Sequence, residues 1–334
     1  MSQRKKISIR FIAEQCGVST ATVSRVINND SSVTDSTRRT VLDALEKYEY
    51  AASSVTPPKV SKIGTVIVSS HSDYYHAVLG NIGIYMRDRG IGTVAMNTEG
   101  QTGHLPFVLD TLYDANVEGL ILVGCDYLSI REHLHSKIPH LWIDCNDRPE
   151  KTEHIYRVDS DHLVSGSMAA QELLRKGCKK PILLTGTQIG NREKDRIKGF
   201  EQEFAAQGLP LADEQIVHLP ELKSSVTESQ EMLRYLLSKG ADFDSIFAMN
   251  DACALGAYVG IRNSGLLIPD DIKLIGFEAV SDACTEVLNI TSVQLNVKLI
   301  TRSACEMLLD RIEKRPVLEK RIVIPTSILP GQTL

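Results

Sequence analysis

From Ile63 to Phe277 the chain alternates short apolar, β-branched runs with amphipathic stretches, and this alternation leaves room for one kind of architecture. The runs are IGTVIVS (63–69), GTVAMN (92–97), GLILVG (119–124), HLWID (140–144), PILLTG (181–186), QIVHL (215–219), SIFAMN (245–250) and IKLIGF (272–277). Strand, helix, strand at this spacing demands parallel sheets with helices on both faces, because a parallel neighbour is reached only through a crossover. These strands are too many for one small sheet, and the pattern restarts near Pro181. The expected body is therefore α/β: two doubly wound parallel-sheet lobes with a cleft between them. Ligands of such sheets bind beyond the carboxyl ends of the strands.

Lobes of this kind often hold cofactors, so the motifs of cofactor enzymes are the first to test. Gly90-Ile91-Gly92-Thr93-Val94-Ala95 has G-x-G-x-x-A spacing, but it follows a helical stretch and leads into a strand, the reverse of a dinucleotide fingerprint. No phosphate loop, G-x-S-x-G or H-E-x-x-H occurs. His133 and His135 lie two apart on an expected helix, so they face apart and make no metal pair. Neither an enzyme nor a cofactor or metal is expected. Seven cysteines far apart, without a C-x-x-C pair, fit a reducing compartment. The basic MSQRKK is not followed by a secretory apolar region, and no apolar run approaches membrane-spanning length. A cytoplasmic, nucleoid-associated location without membrane contact is expected.

Charge is unevenly spread. Residues 1–62 carry ten Lys/Arg against six Asp/Glu, a net +4, while the whole chain is at −5, which leaves −9 on the remainder. A small basic head on a large acidic body suits a polyanionic partner that the body repels. Within the head, GVSTATVSRVINNDSSVT (17–34) crowds hydroxyl side chains around Arg25. Ser8 can cap a helix over 9–15 with Phe11 and Ile12 turned inward, and Gly17 sits at its left-handed end. Ser19 then caps a helix over 20–27 that buries Val23, Val26 and Ile27 and leaves Thr20, Ala21, Ser24 and Arg25 outside. A third helix follows from about Asp35 to Tyr48. Three such helices make a helix-turn-helix, whose second helix enters the major groove. Hydroxyls and helix-start N–H groups hold phosphates there, and an arginine reads guanine O6 and N7.

Residues 7–50, ISIRFIAEQCGVSTATVSRVINNDSSVTDSTRRTVLDALEKYEY, closely resemble the DNA-binding head of the lactose/galactose repressor (LacI/GalR) family, with its A-x-x-A-G-V-S-x-x-T-V-S-R-x-I/L-N-N signature. Ala13, Gly17, Val18, Ser19, Thr22, Val23, Ser24, Arg25, Asn28 and Asn29 match in register, and Cys16 replaces an alanine. The resemblance implies base reading by Thr20, Ala21 and Arg25, and backbone contacts from Ser8, Ser19, Thr22, Asn28 and Thr37. It also implies a periplasmic-binding-protein-like body, a homodimer (a tetramer being left open) on double-stranded operator DNA, and a small-molecule effector whose binding closes the cleft and reorients the heads. A dimer makes physical sense, since one head reads too few base pairs to stand out against non-specific sites.

The linker departs from the family pattern. AASSVTPPKVSK (51–62) lacks the P-N-x-x-A-R-x-L of a hinge helix, and Pro57-Pro58 favour an extended path. Little DNA kinking is expected. In the body, the resemblance places Tyr74 and Tyr75 where family aromatics stack on effectors. It also matches Arg196 in R-x-x-G-F, Asn250 in IFAMND and Glu278 after LIGF, while position alone adds Asp144 at the end of LWID and Arg192 in REKDRIKGF. The expected effector is a sugar, sugar acid or sugar phosphate. Two converging guanidiniums favour an anionic or strongly polar one, because without an anion they repel. Expected divisions are a head at 1–50, a linker at 51–62, and lobes of 63–160 with 291–318 and 161–290 with 319–334. The main reading is a transcriptional regulator, most often a repressor in this family. The rival is a cytoplasmic small-molecule-binding protein or enzyme with a vestigial head. The altered linker favours the rival, and the intact Thr20–Arg25 helix favours the regulator.

Overall fold

The computed structural model describes residues 9–27, 33–48, 61–68, 72–186, 190–220 and 226–334. Ser8, Asn28 and linker residues 51–60 lie outside them. Internal contacts divide the chain into two units, Met1–Val60 and Ser61–Leu334.

In the first unit, side chains and one glycine set the helix ends. Helix α1 (Ile9–Cys16) stops at Gly17, whose φ of +64° is a left-handed turn with open space around it. Ser19 starts α2 (Thr20–Ile27) by accepting the Thr22 N–H at 3.0 Å, and Thr34 starts α3 (Asp35–Lys47) by accepting the Thr37 N–H at 3.4 Å. Ile12, Ala13, Val23, Val26 and Val41 bury against one another. Phe11, expected inside, is 37% exposed; it meets Tyr48 edge-on at 5.1 Å while the Tyr48 hydroxyl donates to Gln15 at 2.9 Å.

The second unit holds two six-stranded sheets. The first contains β1 (Lys62–Ile67), β2 (Gly92–Asn97), β3 (Gly119–Val123), β4 (His140–Ile143), β5 (Arg157–Ser160) and β11 (Arg321–Ile324), in the order β11-β5-β4-β3-β1-β2. The second contains β6 (Pro181–Thr185), β7 (Ile216–His218), β8 (Ser245–Ala248), β9 (Lys273–Glu278), β10 (Ser292–Gln294) and β12 (Ser327–Leu329), in the order β12-β10-β9-β8-β6-β7. Every pairing is parallel except β10 with β12. Strands β3 and β6 are buried at every position, as strands covered on both faces must be. The helices are α4 (Asp73–Arg87), α5 (Leu105–Asp114), α6 (Tyr127–Ile130), α7 (His162–Arg175), α8 (Asn191–Ala206), α9 (Val226–Ser238), α10 (Asp251–Asn263) and α11 (Val297–Ile312).

This topology corrects two of the expected lobe boundaries. Residues 292–294 pair with β9 in the second sheet, so they do not belong with the first lobe. Residues 321–324 pair with β5 in the first sheet, so they do not belong with the second. The reason is electrostatic as well as geometric: Arg321 Nε lies 2.8 Å from Asp159 Oδ2, and Asp159 is also bound by Arg157, which ties β11 to β5. The expected helix through His133 and His135 is also absent; a short 3-10 turn ends at His133, and His135 instead stacks on Tyr113 at 3.8 Å.

Helices α7 and α8 approach through glycine. A Cβ on Gly166 would lie 1.9 Å from the Arg196 carbonyl oxygen, and one on Gly199 2.0 Å from that of Leu163. The contact brings the start of α7 against α8, and so His162 beside Arg192 and Arg196. No helix among the described residues is long and apolar enough to cross a membrane.

Candidate functional site

On the head, Thr20, Ala21 and Arg25 are exposed on the face of α2 opposite buried Val23 and Val26. The surrounding hydroxyls are partly used in building the fold. Ser19 Oγ, besides capping α2, lies 2.9 Å from Thr22 Oγ1, and Thr34 Oγ1 donates to Thr37 Oγ1 at 2.9 Å. Their oxygens still reach the surface at helix starts, where N–H groups and partial positive charge favour an anion.

In the body, the seven side chains singled out by resemblance or position all line one cavity of about 190 Å³ at the strand ends of both sheets. Tyr74 and Tyr75 come from the first turn of α4, Asp144 from the end of β4, Arg192 and Arg196 from α8, Asn250 from the cap of α10, and Glu278 from the end of β9. Three residues here hold the left-handed backbone that non-glycine residues avoid: Asp144 (φ +47°), Glu278 (φ +92°) and Ala279 (φ +54°). Such strain persists only where neighbours enforce it. For the last two, the enforcing group is buried Asp251, whose carboxylate accepts the N–H groups of Ala279 (3.2 Å), Val280 (2.8 Å) and Ser281 (2.8 Å). Asn250 uses its side-chain oxygen to accept the Cys253 N–H at 2.8 Å.

The charges in the cavity are largely matched within the protein. The Tyr74 hydroxyl donates to Asp144 Oδ2 at 2.5 Å, and the Ser160 N–H to Asp144 Oδ1 at 2.6 Å. Burial alone would raise the Asp144 carboxyl, but His162, Arg192 and Tyr74 outweigh it and hold the group well below the usual carboxylate range. Arg192 Nη2 donates to the Tyr75 hydroxyl at 3.3 Å. Arg196 pairs with Glu193 at 3.0 Å and lies 4.2 Å above the Phe277 ring. Burial pushes Glu193 up, yet the two arginines bring it down to about 2. Glu278 goes the other way: burial and then Asp251 push it up to about 8 against the pull of Arg196.

The two lobes are tied at the cavity's edge. Asn146 Oδ1 accepts the Asn191 N–H at 2.7 Å, and Arg148 Nη1 reaches both oxygens of Asp195 at 2.6 and 2.7 Å. A larger recess of about 410 Å³ opens alongside, sharing Asp144, His162 and Arg192. Its remaining charges include the pairs Arg148–Asp195 and Arg157–Asp159–Arg321, and no Phe, Tyr or Trp ring lines it, so the smaller cavity is the better ligand site.

Known proteins share this fold. Residues 8–53 match the family described as bacterial regulatory proteins, lacI family, and residues 170–334 match the periplasmic binding protein-like domain. The chain carries a lacI-family DNA-binding domain and a periplasmic binding protein-like domain. It is 27% identical to the ribose operon repressor of Halalkalibacterium halodurans, covering 98% of this chain and 96% of that protein. It is also 27% identical to the HTH-type transcriptional repressor PurR of Aliivibrio fischeri, over 96% and 98% of the two chains. Among solved structures, the lac repressor dimer bound to operator and the anti-inducer ONPF matches the fold with a TM-score of 0.80 at 20% identity, over 98% of this chain and 99% of that one. With that lacI-family domain the chain is a DNA-binding transcriptional regulator, and the relatives named are repressors.

Sequence reasoning missed His162, Glu193, Thr185 and Phe277, which also line the cavity. For Glu193 a signal existed: it is adjacent to Arg192 and three residues before Arg196, the spacing of a helical ion pair. The others become neighbours only when the two lobes meet.

Proposed function

We propose that this protein is a sequence-specific repressor that binds operator DNA as a homodimer and is controlled by a small, uncharged polyhydroxyl effector of monosaccharide size. Thr20, Ala21 and Arg25 read bases, while Ser8, Ser19, Thr22, Asn28 and Thr37 hold the phosphate backbone. Tyr74, Tyr75, Asp144, Arg192, Arg196, Asn250 and Glu278 form the effector site. The head spans 1–50, the linker 51–62 and the body 63–334; the protein acts at the nucleoid and performs no catalysis.

One observation carries the effector reading: the two guanidiniums in the cavity already face two ionised carboxylates, Asp144 and Glu193. The repulsion that favoured an anionic effector is thereby removed, and a sugar acid or phosphate would have to displace a buried ion pair. A cavity of about 190 Å³ has room for a sugar ring. Aromatic rings with convergent polar groups suit such a ligand. The ribose in a relative's name is of this class.

The test is a genomic footprint repeated with neutral pentoses and hexoses and with their acid and phosphate derivatives. A neutral monosaccharide should change the footprint at concentrations where the charged derivatives do not. A response confined to the anions would reverse the effector class, and no footprint at all would favour a binding protein with a vestigial head.

A further inference from the structure

One polar side chain of the cavity, His162, makes no hydrogen bond to the described residues through either ring nitrogen. His162 opens α7 directly after the cap Asp161, whose Oδ1 accepts the Val164 N–H at 3.0 Å. The residue is only 8% exposed, and both ring nitrogens lack a hydrogen-bond partner among the described residues. Nε2 stands 3.6 Å from Asp144 Oδ1, near enough for attraction and too far for a hydrogen bond. The ring centre is 6.1 Å from that of Phe277, and the side chain lines both the cavity and the recess beside it.

Buried polar groups without partners are costly, so one that persists next to a ligand site points to a partner that comes and goes. Asp144 differs in this respect. Its oxygens already receive Tyr74, the Ser160 N–H and, at 3.4 Å, the Ser160 hydroxyl. Little of its capacity is left for a ligand, whereas neither ring nitrogen of the histidine makes a hydrogen bond. A neutral imidazole offers one donor and one acceptor, and a sugar hydroxyl is both at once. The position matters too, because His162 follows β5 where the chain leaves the first sheet for the second.

We infer that His162 contacts the effector directly, exchanging hydrogen bonds with one of its hydroxyl groups, and that it determines which polyhydroxyl compounds are accepted. The inference rests on the sugar-binding reading of the same cavity. The test compares the native protein with His162→Met and His162→Asn. Without ligand, the Met variant should melt within a degree or so of the native protein, because the ring gives up no hydrogen bond, only the 3.6 Å attraction to Asp144; a fall of several degrees would show that the ring is held structurally and overturn the inference. In calorimetric titrations with D-ribose, D-glucose and D-galactose, whichever sugar binds the native protein should bind His162→Met about tenfold more weakly. His162→Asn should fall between, since an amide keeps a donor and an acceptor. Unchanged affinity in the Met variant overturns the assignment. If none of the three sugars binds a native protein that still binds operator DNA, the sugar reading falls and the His162 contact with it, whereas a sugar that binds native protein and Met variant alike overturns the contact alone.

Discussion

Arg25 and Arg196 both project from helices that open near a ligand surface, yet their surroundings are opposite. Arg25 is exposed on a three-helix head whose core is five small or medium apolar residues. Arg196 is 6% exposed, stacked on Phe277 and paired with Glu193. The first charge is balanced by water and salt until a polyanion replaces them, and the release of cations condensed on that polyanion drives binding. The second could not be buried unless the protein balanced it beforehand. The contrast underlies the proposed reading of the two surfaces: an uncommitted exposed charge suits a charged partner, whereas a neutralised buried one suits a neutral partner chosen by hydrogen bonding and shape.

The largest effect should come from breaking the packing that buries Arg196. Gly199→Ala puts a Cβ against the Leu163 carbonyl and should destabilise the body by about 3 kcal/mol. Urea unfolding followed by the fluorescence of Trp142, the only tryptophan, reads this directly; an unchanged midpoint would mean that the α7–α8 contact adjusts freely. Next comes Glu278. With its carboxyl raised from an ordinary 4.5 to about 8, the folded state holds the proton more tightly than the unfolded chain. Stability should therefore decline as pH rises through that window and level off above it. Glu278→Gln should flatten this decline, and a parallel pH profile in the variant would place the titration elsewhere.

On the head, Arg25→Ala should weaken operator binding by about 1–3 kcal/mol while leaving random-sequence DNA unaffected at matched salt. Equal losses on both would make Arg25 a phosphate contact. The smallest effect is expected at the head's own glycine. Gly17→Ala meets no atom within 4 Å, so only its φ of +64° resists, at about 1 kcal/mol. Amide exchange in α1 and α2 should speed up about fivefold. A loss as large as that at Gly199 would show that the head too depends on close backbone contact.

What could be read from the sequence follows the range of the interactions concerned. The head's caps and turn, Ser19, Thr34 and Gly17, act within a few residues, and the resemblance spans them all. Strands β3 and β6 announce themselves as unbroken apolar runs. Strand β5, RVDS, does not, because its buried Arg157 and Asp159 satisfy each other and read as surface charge. Strands β10 and β12 are three residues each, too short for periodicity to register. In the cavity, residues at the ends of legible strands could be named, but their protonation could not. Whether Glu278 carries charge depends on Asp251 and Arg196, which lie far from it in sequence.

The placement of β11 and β12 also bears on how the molecule is made. Ile324 completes the first sheet and Ser327 begins the last strand of the second, only three residues on. Thr333 then accepts the Thr291 N–H at 2.9 Å and donates to the Leu274 carbonyl at 2.6 Å. Neither lobe can close its sheet until residues 321–333 have left the ribosome, whereas the head's helices are complete by residue 47. During synthesis, which proceeds at ~5–20 residues per second, a nascent chain spends many seconds with a finished DNA reader and an unfinished regulator.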